Sequence, residues 1–387
     1  MHQSSTIGGG SYCLLNVVKA LDKTIWEPIV ALQCDGPLVG ELQQLGVEVI
    51  IFPSLCQIPY NESLFRFSSI RSYSGVRRSM KAFEALLKEK RIDVLYLNNM
   101  MITPYLRPAK RVGCTTVVHV REHWPLNEHK LQLEWVRKIV YENCDRLIAI
   151  NHYSASIFPK MKSTIVYDWI DMSDRYKPIS LDDIFGEDMT DKKMLLYTGG
   201  SQYIKGTDMV IKAFTNSVMG DEYRLLVLGI NQLSPLSGWK HKVRLFFEKF
   251  GYHYYSKDLR GLLAADKRIK HIPGIYELNH IIEQSHCFVS YFRMPHANLA
   301  LAENIILGNP CIAADTEESR EYSGDGKYAM LIHPLKDQKA FEKGLSDFLL
   351  NIDKWRVAAK EGSKMISKVF DPEENKRRLN AVLAELV

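Results

Sequence analysis

The chain has 387 residues, 46% hydrophobic and 25% charged, a composition that excludes disordered and collagen-like classes. At roughly 100–200 residues per domain, that length predicts two domains, each able to bury its own core. A formal net charge of +5 is too small for the length to call for nucleic acid, and no run of about 18 apolar residues predicts a transmembrane helix.

The chain opens with "MHQSSTIGGG", a glycine turn with almost no strand before it. If those glycines follow a first β-strand, most of that strand is expected to be missing. Short β-branched runs then read as strands at 28–32, 47–52, 93–97, 115–120, 146–150 and 163–167. Helical periodicity falls between them at 11–21, 39–45, 76–90 and 129–142. Residues 168–193 are polar and acidic and read as a linker. The rhythm restarts with strands at 194–200, 223–229, 270–274, 287–292, 311–314 and 329–334, and helices at 207–217, 277–284 and 299–307. Three helical segments close the chain, near 338–350, 353–368 and 373–386. Strand, helix, strand at short spacing requires right-handed crossovers, hence an α/β chain of two doubly wound, Rossmann-like domains with parallel sheets. The boundaries expected are 1–172 and 173–387, with the final helix at about 373–387 packing back on the N-terminal domain.

The seven cysteines are scattered, and none has Cys-x-x-Cys spacing, which argues against zinc and dithiol redox sites. Several lie in apolar runs such as "CFVSYF" and "CIAA". They read as buried reduced thiols, and with no signal-peptide pattern the expected compartment is cytoplasmic. No His-Glu-x-x-His helix, Gly-x-Ser-x-Gly elbow or nucleophilic cysteine motif is present.

Ligands of doubly wound sheets bind outside the carboxyl ends of the strands, so the glycine turns there are the candidates. "TIGGGSYCLLNVVKAL" puts Gly9 and Gly10 at a helix start, where the backbone can approach a ligand closely. It is neither a dinucleotide fingerprint nor a Walker loop, and a plain tight turn is the alternative. In "LLYTGGSQYIKGTDMVIKAF" a strand ends in Gly199-Gly200, and Lys205 precedes a helix, the arrangement of a phosphate clamp. An exposed surface lysine is the alternative. In "MPHANLALAENIILGNP" Asn298 is placed to cap a helix, leaving the amides of Leu299 and Ala300 for a pyrophosphate. Glu303, one turn further in among apolar neighbours, could accept from a ribose diol; solvent exposure or a structural lysine would also satisfy it. "VVHVREHW" gathers His119, Arg121, Glu122 and His123 at a strand end.

Two stretches are basic. Residues 66–81 hold Arg66, Arg71, Arg77, Arg78 and Lys81 with no acid. Residues 237–270 carry nine Lys or Arg against three Asp or Glu, mixed with aromatics. That mixture suits peripheral contact with an anionic membrane surface; a solvated helix face with its aromatics inward is the other reading.

In their order and spacing these motifs resemble the retaining glycosyltransferases of family 4 (group 1 glycosyltransferases), over nearly the whole chain. "DRLIAINHYSASIF…STIVYDWIDMSDRYKP" is similar to the family's interdomain passage, and "LALAENIILGNPCIAADTEESREY" to the helix and strand that carry its donor-binding glutamate. The resemblance implies the GT-B fold, with two sheets facing a central cleft, and a UDP- or GDP-sugar as co-substrate, with no metal and no other cofactor. It implies that Lys205, Leu299 and Ala300 hold the diphosphate and Glu303 the ribose, and that Ile275 reads the base. Gly9 and Gly10 would approach the donor, a saccharide or lipid-linked acceptor would enter near His119 and Arg121, and His119, Lys205 and Glu303 are the expected catalytic residues. Nucleic acid is not an expected partner. Surface polysaccharide assembly is the expected pathway. Two positions depart from the family pattern. Pro295, followed by His296, stands where a sugar-contacting glutamate is usual, and Gly200 stands where an arginine is common. Arg293, close by on a strand end, is the candidate to replace that charge.

Overall fold

β-Branched and apolar residues predominate in the strands of the computed structural model, which describes residues 1–6, 8–59, 67–172, 178–230, 255–275 and 278–386, with twelve strands among them. The chain divides into two units. One comprises Met1–Trp169 with Asp371–Val387, the other Ile170–Phe370.

In the first unit, β1 (Ile29–Leu32) pairs with β2 (Glu48–Ile51), and β3 (Val94–Leu97), β4 (Thr115–Val120), β5 (Arg146–Ala149) and β6 (Ser163–Ile165) form a second sheet. All these pairings are parallel. Met1 and His2 run between the two sheets. The His2 N–H donates to the Ala31 carbonyl at 3.1 Å, and the Asn98 N–H to the Met1 carbonyl at 3.1 Å. The Gly9–Ala20 helix follows at once. The last helix, Pro372–Ala384, is capped by Asp371 and buries Leu379, Val382 and Leu383 against Val17, Val117, Ile148 and Trp169. Buried Asn375 secures it by accepting from the Tyr167 N–H at 3.0 Å.

The second unit is one parallel sheet in the order β12-β11-β10-β7-β8-β9, built from β7 (Lys193–Tyr197), β8 (Tyr223–Leu228), β9 (Ile269–Ile272), β10 (Cys287–Ser290), β11 (Cys311–Ala314) and β12 (Met330–Ile332). β10 and β11 are buried at every position, as a sheet covered on both faces requires.

Three local readings change. Residues 100–111, between the strands read at 93–97 and 115–120, were given no element, and they form a 3-10 turn, Met100–Tyr105, and a helix, Leu106–Arg111, with Pro108 inside its first turn. The 76–90 helix begins earlier, as Phe67–Glu89. The stretch read as a linker contains a helix, Leu181–Phe185, capped by Ser180, with Leu181 and Phe185 buried; residues 173–177 of that stretch lie outside the described residues. No two of the seven cysteines form a disulfide, and Cys34 is exposed where burial was expected.

Leu379 is fully buried in the first unit's core, so Leu379→Ala should cost about 2–5 kcal/mol. Urea denaturation read by tryptophan fluorescence will report it through Trp26 and Trp169, which lie in the same cluster. An unchanged midpoint would show that the final helix is dispensable to that core.

Candidate functional site

Counted from β7, the strand order of the second unit is 3-2-1-4-5-6, so its topological switch lies between β7 and β10. The loops leaving the carboxyl ends of those two strands carry Lys205 and Arg293. The first loop is possible only with glycine. A Cβ on Gly199 would fall on the Tyr197 hydroxyl beneath it. Gly200 has φ +66°, and a Cβ there would lie 2.9 Å from the Gly229 carbonyl oxygen. Gly274 closes on the Gly229 Cα in turn, so the ends of β7, β8 and β9 meet backbone to backbone. Position 200 therefore has no room for the arginine common in the family pattern.

Hydrogen bonds underneath hold the loop. The Thr207 hydroxyl donates to the Gly200 carbonyl, and the buried Tyr197 hydroxyl donates to the Lys205 carbonyl at 2.7 Å. Gly206, at φ +71°, starts the Thr207–Ser217 helix directly after Lys205. The Lys205 ammonium lies 4.3 Å from the centroid of the Phe292 ring. Burial pushes its pKa down to about 7, with no charged group offsetting that among the described residues. A half-buried cation beside a helix N-terminus, with an aromatic ring for its neighbour and no carboxylate, is equipped to receive an anion.

Arg293, the candidate to replace the missing arginine charge, already has a partner within the fold. Its guanidinium is bound through two nitrogens to the Asp208 carboxylate, one contact at 2.5 Å. Burial acts to raise the Asp208 pKa, but the Arg293 hydrogen bonds outweigh it and hold the carboxyl below its usual value. Asn298 also departs from expectation. It occupies the cap position of the Leu299–Ile306 helix, but its side chain makes no capping bond. Instead it donates to the hydroxyl of Ser290 at 3.1 Å, because that buried hydroxyl at the end of β10 needs a partner. The Asn298 backbone carbonyl accepts from Leu301, and the amides of Leu299 and Ala300, in the first turn, have no hydrogen-bond acceptor among the described residues. Glu303 is 3% exposed on the same helix. Ile275 is half-buried just beyond Gly274. His296 packs its ring 6.3 Å from Phe292, on the loop that begins at Arg293.

In the first unit, Gly9 and Gly10 open the Gly9–Ala20 helix, and neither side of the turn supplies a side-chain cap. His119 and Arg121 lie inside the unit. His119 is 1% exposed, and its Nδ1 faces two groups, the Tyr96 hydroxyl at 2.5 Å and the Arg121 guanidinium at 3.1 Å. Arg121 can only donate, so Nδ1 accepts and the ring proton sits on Nε2. Burial, then the Arg121 charge, pushes the His119 pKa well below its ordinary value and keeps the ring neutral. Arg121 is ion-paired with Asp168 and donates to Asn98 Oδ1 at 3.1 Å. Glu122 accepts from the backbone N–H groups of Met100 and Arg121, and burial pushes its pKa up to about 7. His123 stacks on Tyr153 with centroids 4.1 Å apart.

Sequence reasoning missed Asp208, Tyr203, Phe292 and Asp168. Asp208 had a legible signal, an acid in the first turn of a helix, but its partner arrives from a strand end 85 residues later. The basic, aromatic stretch at 237–270 falls outside the described residues up to position 254. Beyond it Arg268 is held by Asp266 and lies over Phe214, while Lys267 is exposed. Arg66 also lies outside them; Arg71, Arg77, Arg78 and Lys81 are exposed on their helix. Among the described residues no group of three or more His, Cys, Asp or Glu could hold a metal, and no helix is long and apolar enough to cross a membrane.

The Glycosyl transferase 4-like domain model matches residues 8–162, and the Glycosyl transferases group 1 model matches residues 183–365. A search of curated protein sequences returned no significant match. Among solved structures, Anabaena HepE in complex with UDP-glucose aligns at TM-score 0.74 and 16% identity, over 99% of this chain and 98% of that one. Sucrose-phosphate synthase from Thermosynechococcus elongatus aligns at 0.72 and 13% identity, over 100% and 94%. A glycosyltransferase from Rickettsia africae aligns at 0.70 and 12% identity, over 100% and 97%. The fold they share is GT-B.

Lys205 supplies a pH signature. Its folded pKa of about 7 lies below the ordinary lysine value of 10.5, so the charged form is disfavoured in the fold. The cost is complete below about pH 7 and fades as the pH rises toward the unfolded value. Lys205→Met should therefore raise the melting temperature at pH 6, and the gain should shrink by pH 9.5. A gain independent of pH would mean that the ammonium is not penalised by burial.

Proposed function

The chain belongs to the group 1 glycosyltransferases, and from that premise we propose a metal-independent enzyme that moves a sugar from a UDP- or GDP-sugar to a saccharide or lipid-linked acceptor with retention of configuration. The observation that carries this reading is Lys205, a cation half-buried beside a helix N-terminus and facing no carboxylate among the described residues. A diphosphate would supply the missing negative charge. The amides of Leu299 and Ala300 add donors for it, Glu303 takes the ribose, and Ile275 lies against the base.

In this reading the chain lowers the barrier by stabilising the departing diphosphate and by holding donor and acceptor together. No side chain need act as a strong base. His119 and Arg121 serve the acceptor side from within their unit, by fixing Tyr96, Asn98 and Asp168, since His119 is buried and most of the Arg121 side chain is covered. The exposed Arg71, Arg77, Arg78 and Lys81 fit a cytoplasmic protein that rests on an anionic membrane, where a lipid-linked acceptor would be found, and surface polysaccharide assembly is the pathway this suits.

One observation favours a second reading, a nucleotide-sugar-binding subunit with little catalysis. Residues 293–298 carry no carboxylate, and Pro295 and His296 stand where a sugar-contacting acid belongs in the family pattern. A panel of labelled UDP- and GDP-sugars incubated with membrane lipids separates the two. Transfer to lipid or saccharide supports the enzyme; binding without turnover supports the subunit, and product formed with no acceptor would point to a nucleotide-sugar epimerase. If the site is as proposed, Lys205→Ala and Glu303→Ala should each lower kcat/KM by about a hundredfold or more with folding retained. Wild-type rates in both would sink the assignment.

A further inference from the structure

Arg293 is attached to the Lys205 turn at every level. Its backbone N–H donates to the Ile204 carbonyl at 3.0 Å, and its guanidinium donates to the Tyr203 carbonyl, also at 3.0 Å. The same guanidinium lies 4.2 Å over the Tyr203 ring, whose outer side is exposed. Both carbonyls that precede Lys205 are therefore fixed to the loop leaving β10. Asp208 anchors the other end. It lies in the first turn of the helix that begins two residues after Lys205, and it binds the Arg293 guanidinium through both carboxylate oxygens. The pair is shielded from water, at 12% and 10% side-chain exposure, so its attraction is little screened. Lys212, 3.9 Å from Asp208, adds a weaker contact, and Tyr255 meets Tyr203 edge-on at 5.3 Å.

We propose that Asp208 and Arg293 are positioning residues for Lys205. Their ion pair closes a brace around the turn Tyr203–Lys205, which sets where the ammonium points, so donor affinity depends on two groups that act through a third. The inference rests on the reading of Lys205 as the diphosphate clamp. The brace also accounts for the way this chain does without an arginine at position 200. The arginine it does have near the clamp is already neutralised by Asp208, and it shapes the site in place of adding charge.

The test is a double-mutant cycle on the full chain, with UDP and GDP as probes in isothermal titration and the melting temperature recorded for every variant. Asp208→Asn keeps the shape and removes the charge; Arg293→Met removes the other partner and serves if the first variant fails to fold. Each should weaken nucleoside diphosphate binding by about tenfold or more, the effect of one lost charge-assisted hydrogen bond. In a Lys205→Met background the same substitutions should change affinity by less than about twofold, because the group they position is gone. An equal loss in both backgrounds, or no loss in the wild-type background while Lys205→Met loses binding, would overturn the brace and leave the clamp standing. Wild-type affinity in Lys205→Met, or binding of neither probe by the wild-type chain, would remove the clamp itself.

Discussion

A lysine ammonium held against an aromatic ring, with no carboxylate facing it among the described residues, resists its own burial, and the second unit is arranged to keep it there. Desolvation favours swinging the side chain into water or losing the proton. The fold resists the first through Tyr197 and Thr207 beneath the loop and Arg293 beside it. Gly199, Gly200 and Gly206 let the chain turn tightly enough to bring Lys205 to the start of a helix. That helix in turn exists because β7 and β8 require a crossover. The order of dependence runs from sheet topology to glycine turn to charge.

The first unit solves a different problem. Arg121 is a full charge inside a core, and Asp168 neutralises it. Tyr96, His119 and Asn98 then complete a network around that pair. The neutral, acceptor-only Nδ1 of His119 follows from its neighbours. Such a network fixes the carboxyl ends of β3 and β4 to each other and gives the unit a rigid polar interior where its loops begin.

The twelve strands of the described residues match runs read from the sequence; β10 and β11 stand out because a strand buried on both faces has to be apolar nearly throughout. The glycine turns and Lys205 were readable as well, because the chemistry of a strand end is written in adjacent residues. What escaped is pairing across the fold. Arg293 looked like a spare charge because nothing in "CFVSYFRMP" names Asp208, which lies far back in the sequence. Asn298 looked like a helix cap because its position is right; only the buried Ser290 hydroxyl explains why its side chain turns elsewhere. His119 looked like an active-site group because polar residues cluster after its strand, and the sequence did not reveal that Arg121 would face inward beside it. The short helix Leu106–Arg111 carries Pro108 in its first turn, where no amide is needed.

The helix Pro372–Ala384 belongs to the first unit, although the whole second unit precedes it in the chain. Protein synthesis runs from the N-terminus, so Leu379, Val382 and Leu383 are the last core residues of the first unit to be made. Until they emerge, Val17, Val117, Ile148 and Trp169 present an uncovered apolar face to the surroundings of the ribosome. Of the two units the one begun first is thus finished last, and a chain truncated after residue 370 and released would carry one complete unit and one open one.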